Sequence, residues 1–80
     1  MLTLYSTSAC HLCELALAIL EHQQSESREL YFEVIDISED DALFERYGLR
    51  IPVVRDPQGR EIEWPFTQAE FGLWLRAAGA

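Results

Sequence analysis

Two cysteines separated by two residues, Cys10-His11-Leu12-Cys13, are the residues whose type and spacing point most directly to chemistry. A thiolate is the nucleophile of thiol–disulfide exchange, and a second thiol close by can close an internal disulfide. Positions i and i+3 on a first helical turn lie near enough for that closure without large backbone movement. The surrounding pattern places the pair where a short strand ends and a helix begins. There the first backbone N–H groups lack intrahelical partners and the helix macrodipole is positive, which favours a thiolate. Free cysteine titrates near ~8.5, and helix N-termini or Cys-X-X-Cys settings lower this to about 3.5–7.5. Each unit of lowering is worth about 1.4 kcal/mol, so a modest arrangement makes the thiolate dominant at neutral pH. His11 adds a cationic neighbour whenever it is protonated. The earlier residue of a first turn is the more exposed, and the later one points back beneath it. Cys10 is therefore assigned as the attacking thiolate and Cys13 as the resolving thiol.

Other chemistry fits the same four residues. A Cys-X-X-Cys can be half of a zinc site, but structural zinc takes four ligands. The histidines available are His11, inside the motif, and His22, about three turns further along the same helix, and they do not readily complete a tetrahedron within one chain. A metal or iron–sulfur centre shared between subunits, or a pair of idle cysteines, also remains open. Taken alone, His11 reads first as a solvated loop histidine without a role in catalysis.

The elements that must position the motif follow from periodicity. Met1 to Tyr5 alternates as a strand, with Leu2 and Leu4 on one face. Ser6-Thr7-Ser8 is a loop. From Cys10 to about Gln24 the spacing is helical, with Leu12, Leu15, Ala16 and Ile19 as the stripe and Leu17 and Leu20 widening it. The polar run Gln23 to Glu29 ends that helix. Leu30 to Asp36 is aromatic and β-branched, a second strand. Ser38 with Asp41 resembles a capping box, which predicts a short helix over 39–47 closed by Gly48 at C′. Ile51 to Arg55 is a third strand with Pro52 near its start, and Asp56-Pro57-Gln58-Gly59 has the composition of a type I turn. A fourth strand, roughly Arg60 to Glu63, returns as a hairpin. Thr67-Gln68-Ala69-Glu70 is a capping box opening a last helix, whose buried stripe is Phe71, Trp74, Leu75 and Ala78 and whose end is Gly79. The order is β-α-β-α-β-β-α: an α/β architecture on a mixed four-stranded sheet, its first two strands parallel across a right-handed helical crossover.

Composition narrows the partners. Eighty residues, without repeats, low-complexity segments or linkers, read as one domain over 1–80. Fourteen acidic residues stand against six basic ones, all arginine, for a net charge of −8. That balance argues against nucleic acid, whose binders need a cationic footprint, and against an anionic membrane surface. No apolar run reaches the ~18 residues of a membrane span, and the first residues do not resemble a signal peptide. The expected setting is the reducing cytoplasm, where paired cysteines serve catalysis or metal binding more often than structure.

Strand, Cys10-His11-Leu12-Cys13, helix, strand, helix and then Ile51-Pro52-Val53 together resemble the small bacterial glutaredoxin-like proteins of the thioredoxin superfamily. The resemblance runs over nearly the whole chain and implies a minimal thioredoxin fold. It implies a thiol–disulfide oxidoreductase working through a mixed disulfide on Cys10, with no bound cofactor and with glutathione as a cosubstrate or a protein or small-molecule disulfide as substrate. It places the family's active-site proline at Pro52, with a cis Ile51–Pro52 bond, and gives the backbone of Ile51 to the bound thiol substrate. The chain departs from the pattern where glutathione is recognised. His11 and Leu12 stand where proline and tyrosine are common, and Ser6, Thr7, Ser8 and Ala9 carry no charge where a lysine often lies. Trp64-Pro65-Phe66-Thr67 replaces a glycine-rich segment. The helix N-terminus at Thr67 could still receive a carboxylate, and Arg46 and Arg50 an anionic tail. The alternative, of a different class, is a binding or adaptor module on the same fold.

Overall fold

The alternation of the first residues forms β1 (Leu2–Ser6) in the computed structural model, which describes residues 1–78. Leu2 and Leu4 are buried on one side of this strand and Tyr5 on the other. β2 (Phe32–Asp36) pairs with β1 in parallel, Leu4 beside Val34. β3 (Val53–Arg55) pairs with β1 antiparallel, Tyr5 beside Val53. β4 (Glu61–Glu63) pairs antiparallel with β3, giving the order β2-β1-β3-β4. The helices are α1 (His11–Glu26), α2 (Asp41–Tyr47) and α3 (Gln68–Ala78). Among the described residues, no helix is long and apolar enough to cross a membrane.

Each face of the sheet has its own core. Ala16 and Leu20 of α1 and Phe71 of α3 pack with Phe66 onto Leu2, Leu4 and Val54. Aromatic rings continue this layer, with Trp64 edge-on to Phe66 at 5.1 Å and Phe71 stacked between Phe66 and Trp74 at 5.7 and 5.9 Å. On the opposite face, Ile37 and Tyr47 cover Tyr5 and Val53, with the Tyr5 and Tyr47 rings stacked at 4.2 Å. The result is a three-layer, thioredoxin-like α/β fold on a mixed sheet, in the element order read from the pattern.

Several local readings change. The stripe of α1 that faces the core is Cys13, Ala16 and Leu20, flanked by Leu17 and Ile19. Leu12 and Leu15 are instead 45% and 42% exposed. The stripe is rotated because the helix must cover Leu2 and Leu4 while Cys10 stays at its cap, and leucines on both sides leave the sequence pattern nearly degenerate. The second helix is capped by Asp40, whose Oδ1 accepts the N–H groups of Ala42 (2.9 Å) and Leu43 (3.1 Å). Ser38 lies in a single 3-10 turn, Ile37–Glu39, and its N–H and hydroxyl both donate to Asp36. An aspartate one residue before the helix outcompetes the serine because its carboxylate reaches two free N–H groups at once. Gly48 has φ −54° and so does not adopt the left-handed C′ form. A Cβ there would lie 2.5 Å from the Phe44 carbonyl oxygen, so close approach rather than a positive φ requires the glycine. The strands are shorter than the apolar runs, because Leu30, Tyr31 and Ile51 fall outside the ladders. The Thr67–Glu70 capping box forms reciprocally, with both bonds at 3.0 Å. The Ala78 side chain and Gly79 lie outside the described residues.

The β3–β4 turn is tied to α3 by one carboxylate. Asp56, nearly buried, accepts the N–H groups of Gln58 (3.0 Å) and Arg60 (2.8 Å) on Oδ1 and Arg60 Nε (2.7 Å) on Oδ2. Gly59 supplies the φ of 89° that this turn needs. Arg60 then donates to the Trp74 carbonyl at 2.8 Å and lies over its ring at 4.5 Å. Burial pushes the Asp56 carboxyl upward, and the hydrogen bonds and charge of Arg60, with the Gln58 N–H, outweigh it and hold the carboxyl below its ordinary 3.8.

Leu20→Ala should cost about 2–5 kcal/mol in urea denaturation, whereas Leu15→Ala should change stability by about 0.5 kcal/mol or less. Equal losses would contradict the rotated stripe. Because the folded-state value of Asp56 is depressed, its stabilisation is complete above the ordinary 3.8 and is lost as pH falls through the lower folded-state value. Asp56→Asn should therefore lower stability at neutral pH and flatten the loss below about pH 3.8 in acid titrations followed by circular dichroism.

Candidate functional site

β1 runs into the loop Thr7–Ala9, and the chain then turns into α1 with Cys10 as its N-cap. Ala9, the residue before the cap, has φ 58°, a left-handed conformation in which a side chain costs roughly 1–2 kcal/mol. Cys10 is extended (φ −107°, ψ 103°), so its Sγ takes the place usually held by a serine or aspartate oxygen. It accepts the Cys13 N–H at 3.2 Å, while its carbonyl accepts the Glu14 N–H at 3.1 Å. Cys10 and Cys13 are joined as a disulfide with their Cα atoms 5.2 Å apart. The two sulfurs differ in access: Cys10 is half-buried, and Cys13, on the core-facing stripe, is only 5% exposed.

The histidines stand apart from this arrangement. His11 is 79% exposed and lies 3.8 Å from the carboxylate of Glu14. His22 pairs at 3.0 Å with Glu26, further along α1. Among the described residues, no group of three or more His, Cys, Asp or Glu side chains is arranged to hold a metal ion.

Pro52 reaches the same end of the molecule from another strand. Since Tyr5 pairs with Val53, the start of β3 lies beside the end of β1, and the Ile51–Pro52 segment borders the strand that leads to the cysteines. Its peptide bond is cis, the conformation the resemblance implies, and Pro52 is fully buried. Two contacts hold the segment. The Trp64 N–H donates to the Pro52 carbonyl at 3.1 Å, and the Ile51 N–H donates to the Tyr47 carbonyl at 3.0 Å. The second bond commits the N–H of Ile51 internally. The Trp64–Pro65 bond is also cis.

Thr67 is used as a cap. Its N–H donates to the Glu70 carboxylate and its hydroxyl accepts the Glu70 N–H. The next residue, Gln68, is bound to Ile19 and Gln23, well along α1 from the cysteines. Arg50 is occupied as well: its guanidinium holds Glu61 at 2.7 Å and Glu63 at 2.6 Å on β4. Arg46 and Arg50 lie 5.3 and 5.2 Å from the centre of the Tyr47 ring. The Tyr47 hydroxyl completes the cluster, donating to Glu61 at 2.6 Å. Burial and the Glu61 carboxylate raise the Tyr47 hydroxyl above its usual range. Burial likewise pushes the Glu61 carboxyl up, but Tyr47 and Arg50 together hold it below its usual value. This clamp under the proline segment is absent from the sequence reading. The alternation Glu61-Ile62-Glu63, with both carboxylates on one strand face, was its one visible signal.

A three-layer fold of this order, with a Cys-X-X-Cys disulfide at the first helix N-terminus and a cis-proline at the head of the third strand, defines a thioredoxin-like protein. The comparisons make the family specific: the chain belongs to the glutaredoxin-like domain (DUF836) family, which matches residues 1–76. It is similar to the X-ray structure of the Northeast Structural Genomics target protein XcR50 from X. campestris, at 43% identity and TM-score 0.84 over 96% of this chain and 97% of that one. The solution structure of XcR50 matches at 43% identity and TM-score 0.78, over 95% and 92%. Protein Ne2328 from Nitrosomonas europaea matches at 29% identity and TM-score 0.74, over 91% and 87%. Among curated proteins, none matches the chain.

Removing the Tyr47 hydroxyl tests the clamp. Tyr47→Phe should cost about 1.5–3 kcal/mol in denaturant unfolding, the range for a hydrogen bond to a charged group. Near-wild-type stability would show that Arg50 alone holds Glu61.

Proposed function

We propose that this protein is a thiol–disulfide oxidoreductase in which Cys10 attacks and Cys13 resolves. The observation that carries the reading is the inequality of the two sulfurs. Cys10 is the accessible one and sits at a helix N-cap accepting an N–H, a position that favours negative charge on sulfur, while Cys13 lies behind it within bonding reach.

In the reduced protein, the Cys10 thiolate attacks one sulfur of a substrate disulfide. A bond forms between Cys10 Sγ and that sulfur, the substrate S–S bond breaks, and the second substrate sulfur leaves as a thiolate that takes a proton from water. Cys13, losing its proton to solvent, then attacks Cys10 Sγ and expels the first substrate sulfur as a thiolate. Two electrons have passed to the substrate, and the protein holds the Cys10–Cys13 disulfide. A dithiol, or two equivalents of a monothiol such as glutathione, returns the pair to the reduced state by the reverse exchanges.

The residues favour a protein disulfide over glutathione as the substrate. Thr67 and Glu70 satisfy each other at the α3 N-terminus, so a carboxylate arriving there meets Glu70. Pro65 offers no N–H, and Arg50 is neutralised by two glutamates. A net charge of −8 slows the approach of anions and speeds that of basic proteins.

Cys10→Ser should abolish reduction of a protein disulfide such as insulin. Cys13→Ser should still take the first step and accumulate a mixed disulfide, visible by mass spectrometry as the substrate mass added to the protein. Iron or zinc retained after anaerobic purification at one atom per two chains, with no reductase activity in the wild type, would overturn the reading in favour of a metal-bridged module.

A further inference from the structure

The disulfide is bordered on the side away from β3 by an open cavity of about 150 Å³. β1 and β2 form its floor, where the paired residues Leu4 and Val34 lie side by side facing the α1 layer. Leu17 of α1 forms one wall, and the loop held by the left-handed Ala9 forms the other, with Cys10 and Cys13 at the rim. The cavity exists because β2 is an edge strand that α1 only partly covers. Leu4 beneath the helix is 1% exposed, whereas Val34, its neighbour on β2, is 49% exposed.

We infer that this cavity receives an apolar side chain adjacent to the attacked cysteine of a protein disulfide, so that substrate is selected on the β2 side of Cys10 as well as on the Pro52 side. The inference rests on the redox reading above. Three observations carry it. Both cysteines line the cavity, and an extended chain advances about 3.3 Å per residue, so a neighbour of the substrate cysteine reaches it without strain. Its volume is that of an apolar cavity known to take up a benzene ring, which is room for one leucine, isoleucine or phenylalanine side chain. Its walls carry hydroxyls and aliphatic groups but no cation, and Glu14 is the single charged residue lining it. An acidic neighbour, including either carboxylate of glutathione, is therefore disfavoured there. The commitment of the Ile51 N–H to Tyr47 sharpens the need for such a contact, since it removes one backbone bond that the proline side would otherwise offer.

Two five-residue peptides test this. In one the cysteine is flanked on both sides by leucine, and in the other by glycine, and each is supplied as its mixed disulfide with 2-mercaptoethanol. The wild type should reduce the leucine peptide with a kcat/KM about tenfold higher than the glycine peptide, the scale of an apolar side chain entering a pocket. Val34→Phe, which fills the cavity, should bring that ratio close to one. Taking the ratio within each variant cancels any general loss of activity. Equal rates on both peptides in the wild type, or a ratio unchanged in Val34→Phe, would overturn the inference. If the wild type reduces neither peptide, it is the redox reading that fails, and binding then decides the cavity separately. The leucine peptide with serine in place of cysteine should shift the methyl resonances of Val34 and Leu17 in NMR titrations. Shifts confined to residues elsewhere, or none, would remove the subsite.

Discussion

Cys13 belongs to two structures at once, and the rest of the molecule depends on that double membership. It is the first residue of the stripe, continued by Ala16 and Leu20, that α1 buries against the sheet. It is also half of the disulfide. Burial of a leucine-sized side chain stabilises by roughly 1.5–3 kcal/mol, so the packing of α1 leaves its rotation little freedom. With the rotation set, one sulfur points inward and the other caps the helix. The difference in access between half-buried Cys10 and sheltered Cys13 thus follows from core packing, with no further group needed to impose it.

The second half of the site is held by a different core. Pro52 sits at the head of β3, and the residues that position it come from α2 and from the β4 side. Tyr47 stacks on Tyr5 and binds Ile51 through its carbonyl, Arg50 bridges to Glu61 and Glu63, and Trp64 holds the Pro52 carbonyl. The cysteine end and the proline end are therefore anchored on opposite faces of one sheet. They meet only because β1 and β3 are adjacent and antiparallel. A short chain can bring a cysteine pair and a buried proline together in this way, since the sheet carries the alignment and neither half needs additional structure.

Charge has a more local meaning in the folded protein than the total of −8 conveys. Arg50 and Arg60 are spent on internal pairs with glutamates and with Asp56. The carboxylates that remain exposed include Glu14, next to Cys13. The positions that the sequence offers to an anionic thiol are here occupied by a self-satisfied cap at Thr67, by Pro65 and by an Arg50 paired with two glutamates. What adjoins the sulfurs instead is apolar surface and hydroxyls.

The element order, the Cys-X-X-Cys at a strand-to-helix junction, the Asp56–Gly59 turn and the Thr67–Glu70 capping box were all legible in the sequence, because each depends on residues within a few positions of one another. The rotation of α1 was not: Leu12, Leu15, Leu17 and Leu20 offer nearly equal stripes, and only contact with Leu2 and Leu4 of a distant strand selects among them. The cap of α2 was misplaced by two residues, since Ser38 and Asp40 are both good caps and the 3-10 turn that separates them arises from packing Ile37 into the second core. The Tyr47–Glu61–Arg50 clamp and the cavity at Val34 join residues far apart in the chain through strand register. By itself, then, the sequence determined where the cysteine pair lies, which of its sulfurs is the more exposed, and the local turn that holds it. Tertiary structure alone decided which face of α1 is buried, what supports Pro52 and what surface borders the two cysteines, because those depend on burial and register across the sheet rather than on local spacing.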